Sequence, residues 1–261
     1  MNANWLKSRS IIRMRAEEPN EDVREFLQGL ITNDVSGDLP VYAALLSAQG
    51  KAMFDFFVWS DGEDILLDCE EAQADALAKR LSLYRLRRKI SIEPDETLAV
   101  FWTPERGGGK LIPGSPPGEL MIPAEHAATD PRIPEMGSRW LAQPVSLEWP
   151  EGDNNYLAHR LAHGIPEGSA ELGDILWLET NAVELNGVSF KKGCYIGQEN
   201  TARMNWRQKV NRRLVVVPFD QSQEKRRKAA YSELGFAVDH LRVADLDPAT
   251  LPDWQAAGIS E

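Results

Sequence analysis

The chain has 261 residues, 43% of them hydrophobic, and a formal net charge of −11 at pH 7. This length can bury a sizeable core in one to three domains. The acidic balance argues against a surface that serves as a whole as a nucleic-acid or anionic-membrane platform, and no stretch approaches the ~18 apolar residues that span a bilayer. The two cysteines, Cys69 and Cys194, lie far apart, which excludes a disulfide framework and fits a reducing compartment.

The N-terminal region allows two interpretations. Four cations precede the first acidic residue, Glu17, namely Lys7, Arg9, Arg13 and Arg15. This composition suggests a transit peptide. The apolar residues Ile11, Ile12 and Met14 instead favour a first strand, so we expect mature protein here and a cytoplasmic location.

Helices and strands are then predicted without a regular alternation. Asn20 is the predicted N-cap, and apolar residues at 23, 26, 27 and 30 predict a short amphipathic helix. Strands are predicted at 52–59 and 65–67, with turns at Gln49-Gly50 and Asp61-Gly62. The best helix spans 70–89, and a proline-rich irregular region spans 104–154. Short strands are predicted at 98–102 and, within that region, at 140–142. A helix follows at 154–163, and a strand at 213–219. This mixture predicts an α+β fold rather than a doubly wound sheet.

The most informative segment is residues 190–199, FKKGCYIGQE. It places a lone thiol, Cys194, next to two lysines and between two glycines. A cationic neighbourhood favours the reactive thiolate, and Gly193 and Gly197 allow positive φ or a close approach of the backbone. The alternative is a tight turn whose cysteine simply packs inside.

This segment resembles the signature of the YgfZ family, the folate-binding relatives of the glycine-cleavage T-protein. Other segments resemble the family in the same order over roughly residues 10–217: FLQGLITNDV at 26–35, YAALL at 42–46 followed by Gln49-Gly50-Lys51, LYRLR at 83–87, and Arg160-Leu161 with Gly164-Ile165-Pro166. The resemblance implies interleaved ferredoxin-like halves around a folate site at 1–212, then a C-terminal β-barrel at 213–261. The barrel is shortened here, because only about 45 residues follow Arg213 and the basic run 224–228 stands where strand residues are expected.

The resemblance also nominates site residues. Lys192 and Cys194 are the candidate catalytic residues, and the candidate folate contacts are Tyr156 as an aromatic wall, Arg160, Asn33, Glu179 and Glu199. Each has a structural alternative: helix core for Tyr156, an ion pair for Arg160, a solvated acid for Glu179. Residues 191–213 carry seven cations against one acid, which suits the polyglutamate tail of a folate or, alternatively, is only a solvated basic face.

Other motifs fail on their chemistry. The run Gly107-Gly108-Gly109-Lys110 lacks the hydroxyl residue of a P-loop, and Ser115 lies in no nucleophile elbow. His159 and His163 are four residues apart but have no third ligand nearby, so we predict no bound metal. Two distant thiols cannot assemble a four-cysteine iron–sulfur site.

Three functions remain open. The resemblance implies a tetrahydrofolate-binding accessory factor for making or repairing iron–sulfur client proteins, with indirect effects on tRNA modification; direct nucleic-acid binding and a membrane partner are not expected. The first alternative is a folate-dependent aminomethyltransferase of the glycine-cleavage type. T-proteins carry paired aspartates where this chain has only Asp55. The second is a non-enzymatic binding module.

Overall fold

The computed structural model describes residues 4–106, 127–144, 150–207 and 210–259. The Gly107–Lys110 loop, Ser115 and Lys209 lie outside these ranges. The described strands are β1 (Asn4–Trp5), β2 (Arg9–Ala16), β3 (Val41–Leu46), β4 (Ala52–Asp61), β5 (Asp64–Glu70), β6 (Ile90–Pro94), β7 (Ala99–Thr103), β8 (Ala128–Thr129), β9 (Ser138–Ala142), β10 (Arg212–Pro218), β11 (Arg227–Tyr231) and β12 (Phe236–Arg242). The described α-helices are α1 (Val23–Gln28), α2 (Ala74–Arg85), α3 (Asp153–Ala162), α4 (Ser169–Leu172), α5 (Gln198–Arg207) and α6 (Asp253–Ala257).

The chain folds into two compact units, each assembled from two chain segments. Unit 1 contains residues 1–23 and 58–159, and unit 2 contains residues 24–57 and 160–261. The interleaved α+β fold predicted from the sequence is therefore confirmed at the level of chain path. The predicted boundary between residues 212 and 213 does not coincide with this division and stays a prediction.

Unit 1 contains two antiparallel arrangements of strands. In the first, β2 lies between β5 and β6, with Ile12 opposite Leu67 on one side and Pro94 on the other. Helix α2 packs on β2 and β6, and it buries Leu77 and Leu81 completely, as its apolar spacing predicts. The second sheet has the order β1-β7-β9-β8. Its core is aromatic: the rings of Phe101 and Trp140 stack with centroids 5.8 Å apart.

Unit 2 contains β3 beside the first half of β4, and a separate C-terminal sheet. In that sheet the central strand β12 pairs antiparallel with β10 and with β11. The predicted shortened barrel is thus an open sheet of three strands in the described residues. The basic run at 224–228 was expected to replace strand residues, but its last two residues, Arg227 and Lys228, begin β11.

The boundaries of several predicted elements need correction. The best predicted helix is shorter than 70–89: it begins at Ala74, after a 3-10 turn, and ends at Arg85. The strands β1, β6, β8, β11 and β12 were not predicted. Among the described residues, no helix combines the length and apolar character that crossing a bilayer requires.

Candidate functional site

The signature segment ends in a close contact between two backbone turns. Gly197 has φ +80°, and a Cβ at this position would lie 2.5 Å from the carbonyl oxygen of Ser47 and 3.1 Å from the Cα of Gly50. Gly50 itself has φ +77°. The Asn200 side chain donates to the Gln49 carbonyl at 2.8 Å. Glycine is required at 197 because no side chain fits there, so the start of α5 is fixed against the turn between β3 and β4.

The other end of the segment is bonded to the 31–34 loop. The ammonium of Lys192 donates to the carbonyls of Ile31 at 2.6 Å and Asn33 at 2.8 Å. The Asn33 amide in turn donates to the carbonyls of Asn186 at 2.7 Å and Tyr42 at 2.8 Å. Two segments that resemble the family therefore form one hydrogen-bonded structure, although about 160 residues separate them in sequence.

Burial changes the chemistry of Lys192. Its side chain is only 8% exposed, and this burial lowers the pKa of its amine to about 8, against an opposing effect of the Asp34 carboxylate. Hydrogen bonds from Ser36 hold the pKa of Asp34 below its usual range. The ammonium also lies 5.2 Å from the ring centroid of Tyr195, whose hydroxyl pKa burial raises to about 12. Lys192 is thus a buried cation with fixed partners.

Cys194, two residues further on, is exposed. The neighbouring Lys191 and Gly193 are also exposed, and a Cβ on Gly193 would meet nothing within 4 Å. The other thiol, Cys69, is buried in unit 1 with 1% of its surface exposed. The segment therefore presents a reachable thiol between a buried lysine and a buried tyrosine.

Helix α5 carries the remaining exposed charges of the segment. Glu199 pairs with Arg203 at 2.8 Å across one helical turn, with side chains 86% and 51% exposed. Trp206 is 73% exposed, and its ring contacts that of Phe190 edge-on, with centroids 6.3 Å apart. Exposed ion pairs of this kind contribute little to stability. Because Glu199, Arg203 and Trp206 are exposed, this helix face is available for contacts.

The other unit 2 candidates are bonded inside the protein. Arg160, which is 6% exposed, makes a two-pronged contact with Glu171 at 2.6 and 3.0 Å. The Tyr231 hydroxyl also donates to Glu171, which joins α3, α4 and β11. Glu179 contacts the His240 ring at 3.0 Å. Both candidates thus have protein partners. For Arg160 this is the ion pair that was given above as the alternative to folate binding.

Tyr156 belongs to unit 1 and is 4% exposed. Its hydroxyl accepts hydrogen bonds from Arg132 at 2.8 Å and Arg139 at 2.5 Å. Its ring meets Trp102 edge-on, with centroids 5.3 Å apart. The ring is therefore packed, and its role as an aromatic wall for a pterin stays a prediction.

The fit of these residues to folate is only partial. Asn33, Arg160, Glu179 and the Tyr156 hydroxyl already have the protein partners described above, so a pterin would have to replace existing hydrogen bonds to use them. Lys191 and Arg203 offer exposed cations for a glutamate tail. We therefore derive no catalytic step through a folate from these contacts.

In the part of the chain that the structure describes, no three His, Cys, Asp or Glu side chains form a group that can hold a metal ion. His159 contacts the Glu135 carbonyl at 2.9 Å and lies on Trp102.

Sequence reasoning missed two groups of residues. Asp34, which acts on Lys192, lies inside the 26–35 motif, and that membership was the available signal. The buried Arg132, Arg139 and Asp68 of unit 1 gave no sequence signal, because arginine and aspartate are normally exposed.

The comparison with solved structures defines the class of fold. The chain superimposes on the glycine cleavage system aminomethyltransferase T from Bartonella henselae with a TM-score of 0.63, covering 93% of this chain and 78% of that one. Sequence identity is 14%, so this likeness establishes the T-protein fold alone. No protein-family profile matches the chain.

Sequence relatives point to a particular kind of protein. The chain is 35% identical over 244 residues to the Homo sapiens protein named iron-sulfur cluster assembly factor IBA57, mitochondrial, and 34% identical over 248 residues to that of Mus musculus. Each match covers 82% of this chain and 65% of the relative. The homologue from Neurospora crassa is 33% identical over 74% of this chain and 49% of its own length. The chain thus spans just under two thirds of the length of the mammalian relatives.

These relatives correct one expectation. We predicted a cytoplasmic location, but the relatives reported above are all named as mitochondrial proteins, so that prediction is contradicted. Their names also refer to IBA57 and not to YgfZ.

Proposed function

We propose that the protein is a tetrahydrofolate-binding accessory factor in the assembly or repair of iron–sulfur proteins, and a counterpart of the YgfZ family. The similarity to iron–sulfur cluster assembly factors over 82% of the chain supports the process. The T-protein fold supports the cofactor class. The observation that carries the proposal is the exposed Cys194 in a segment that Lys192 and Gly197 fix at both ends.

In this proposal the residues have distinct roles. Cys194 acts on the iron–sulfur client as a nucleophile, a redox group or a transient ligand, since an exposed thiol supports all three. Lys192 is a positioning residue, because its ammonium is bonded to two backbone carbonyls. Effects on tRNA modification follow indirectly, through modifying enzymes that contain clusters.

The proposed role in iron–sulfur protein assembly is tested by restoring the activity of an iron–sulfur enzyme. An extract that lacks this protein is supplied with purified protein and tetrahydrofolate, and the activity of a cluster-dependent enzyme is measured. We expect Cys194→Ala to restore little activity and Cys69→Ala, which removes the buried thiol, to restore as much as the wild type. Equal restoration by both variants would remove Cys194 from the proposal.

Tetrahydrofolate binding is tested by tryptophan fluorescence, since the chain has eight tryptophans. We expect saturation at sub-millimolar folate. A double Lys191→Gln, Arg203→Gln variant should weaken binding of a polyglutamylated folate more than that of the monoglutamate. If no folate binds, the non-enzymatic module becomes the better interpretation.

The alternative function is aminomethyl transfer, which the fold match and one carboxylate favour. Asp55 is 5% exposed and accepts hydrogen bonds from the Tyr42 hydroxyl at 3.1 Å and the Gly168 backbone at 3.4 Å. A glycine-cleavage assay with lipoylated carrier protein is decisive. We expect no turnover. Turnover that Asp55→Asn abolishes would favour aminomethyl transfer over the accessory-factor function.

A further inference from the structure

A second basic segment lies in unit 1, at the end of α2 and in the turn that follows it. Residues 79–89 carry six cations and no acid: Lys79, Arg80, Arg85, Arg87, Arg88 and Lys89. In a chain with a net charge of −11 this is a strong local asymmetry. We call residues 79–89 the basic turn.

Two leucines project from the basic turn into solvent. Leu83 is 65% exposed and Leu86 is 87% exposed, whereas Leu77 and Leu81 on the opposite face of α2 are fully buried. Leu86 has φ +52°, a conformation that costs free energy for a residue with a side chain. The residue with the unfavourable backbone conformation is also the more exposed of the two leucines.

Five of the six cations of the basic turn fall into two groups, and the sixth, Arg80, lies over the Tyr84 ring. Arg85 donates to the Ile90 carbonyl, and Arg88 binds Glu21, so these two fasten the turn to the rest of unit 1. Lys79, Arg87 and Lys89 have exposed side chains and lie on both sides of the leucines. Exposed leucines flanked by lysine and arginine form an amphipathic surface at the tip of a fixed turn.

We propose that the basic turn is a peripheral docking surface for an anionic phospholipid bilayer, with Leu83 and Leu86 entering the acyl boundary and Lys79, Arg87 and Lys89 at the headgroups. Clusters of four to eight cations on an amphipathic helix are typical of binding to acidic lipids. Aliphatic side chains do not contribute to binding of a phosphate backbone, so RNA fits this surface less well. Leucine is also under-represented at the centres of protein–protein interfaces.

The net charge sets the conditions of this contact. Without the basic turn the chain has a net charge of −17, that is −11 minus +6, so an anionic surface attracts the chain only where it presents a local basic segment such as this turn. Binding should therefore weaken steeply as salt is added. The sequence-based expectation of no membrane partner rested on the net charge of the whole chain and on the absence of a spanning segment. A peripheral contact depends instead on the local charge of one surface.

Vesicle co-sedimentation tests the proposal with the full chain. The vesicles contain phosphatidylcholine alone, or phosphatidylcholine with 30% phosphatidylglycerol, at about 50 mM salt. We expect binding only to the acidic vesicles. Each cation near such a surface contributes about a fivefold change in partitioning, so the triple Gln variant at Lys79, Arg87 and Lys89 should bind about 100-fold more weakly. Replacing both exposed leucines with serine should cost about tenfold or more.

A charge-matched control separates the basic turn from net charge. The triple Gln variant at Lys225, Arg226 and Arg242 removes the same number of exposed cations in unit 2 and should bind much more tightly than the basic-turn variant. Equal losses in the two triple variants, or no sedimentation of the wild type with acidic vesicles, would overturn the proposal. So would RNA binding that depends on the cations and not on the leucines, measured by gel shift. All substituted side chains are exposed, and far-UV circular dichroism checks that the variants are folded.

Discussion

The two units of the molecule use buried charge in different ways. In unit 1, Asp68 is fully buried between Arg9 at 2.7 Å and Arg139 at 2.6 Å. Arg139 continues to the Tyr156 hydroxyl, to which Arg132 also donates. In unit 2 the signature segment has one buried cation, Lys192, whose partners are neutral carbonyls, and beside it an exposed thiol.

This difference separates a charge cluster that stabilises the fold from a single charge that positions a loop. The cluster in unit 1 joins β2, β5, β9 and α3 through groups that are bonded on several sides, so its cost of desolvation is offset by many hydrogen bonds. Among the described residues, Lys192 hydrogen-bonds only to carbonyls, and its burial lowers the pKa of its amine although the Asp34 carboxylate opposes this effect. The first cluster fixes the fold, while the second fixes a loop that leaves Cys194 accessible.

The largest expected loss of stability follows from breaking the buried charge cluster of unit 1. Arg139→Met leaves the Asp68 carboxylate with fewer partners in a fully buried position, which should lower the free energy of unfolding by about 3–5 kcal/mol. Urea unfolding followed by fluorescence measures this change. The control is Lys51→Ala, which removes an exposed pair with Asp174 whose side chains are 40% and 81% exposed, and which should cost less than about 1 kcal/mol. A loss of equal size in the two variants would show that the buried cluster is not structural.

The next largest effect on stability is expected at one of the two glycines that flank Cys194. Gly197→Ala places a Cβ 2.5 Å from the Ser47 carbonyl at a φ of +80°, which should cost about 1–3 kcal/mol. Gly193→Ala meets nothing within 4 Å and should change stability by less than about 0.5 kcal/mol. Thermal unfolding of both variants gives the comparison. If Gly193→Ala is the more damaging, the close contact between the two turns does not fix the segment.

These glycines also show what the sequence was able to predict. Spacing and motif resemblance predicted that both glycines, Lys192 and Cys194 belong to one site. They did not distinguish Gly197, where the Ser47 carbonyl leaves no room for a side chain, from Gly193, which is exposed. That distinction depends on the turn at 47–50, which lies far away in sequence. The same holds for Lys192, whose partners at 31 and 33 are set by the tertiary fold.

The fold was predicted where local patterns are strong. Apolar spacing correctly placed the buried faces of α1 and α2, and the resemblance supplied the T-protein fold. The unpredicted strand β12 contains Asp239 and His240 in a pattern with little alternation, and it is stabilised by pairing on both sides. The end of α2 was misplaced because Leu86 and Arg87 favour helix by propensity, whereas the structure turns there to start β6.

The pH dependence of stability should reveal the burial of Lys192. Burial lowers the pKa of its amine from 10.5 to about 8 in the folded protein. Between these values the unfolded chain binds more protons, so stability should rise with pH from about 8 to about 10.5. The slope is at most about 1.4 kcal/mol per pH unit and is reduced by partial solvent screening. Urea unfolding at each pH is compared with that of Lys192→Met, which lacks the amine, and Lys191→Met gives the baseline. If wild type and Lys192→Met change in parallel, Lys192 is not desolvated.

The smallest expected effect concerns the rate at which Cys194 is alkylated. Iodoacetamide should label this exposed thiol in the folded protein and Cys69 only after unfolding. We expect the rate for Cys194 to exceed that of a free thiol and to fall in Lys192→Ala. The fall should be no more than about fivefold. The Lys192 ammonium is bonded to backbone carbonyls, and water around the exposed thiol weakens the effect of this charge on Cys194.

Lys191→Ala is the matched control, since it removes the exposed neighbouring cation without breaking the contacts to Ile31 and Asn33. Rates are measured from pH 6 to 9 in a Cys69→Ala background, so that one thiol reports. If only Lys191→Ala slows the reaction, the exposed lysine supplies the field and Lys192 acts on Cys194 only by holding the loop. Equal rates in all three proteins would remove electrostatic activation of the thiol and leave its accessibility as the property on which the site depends.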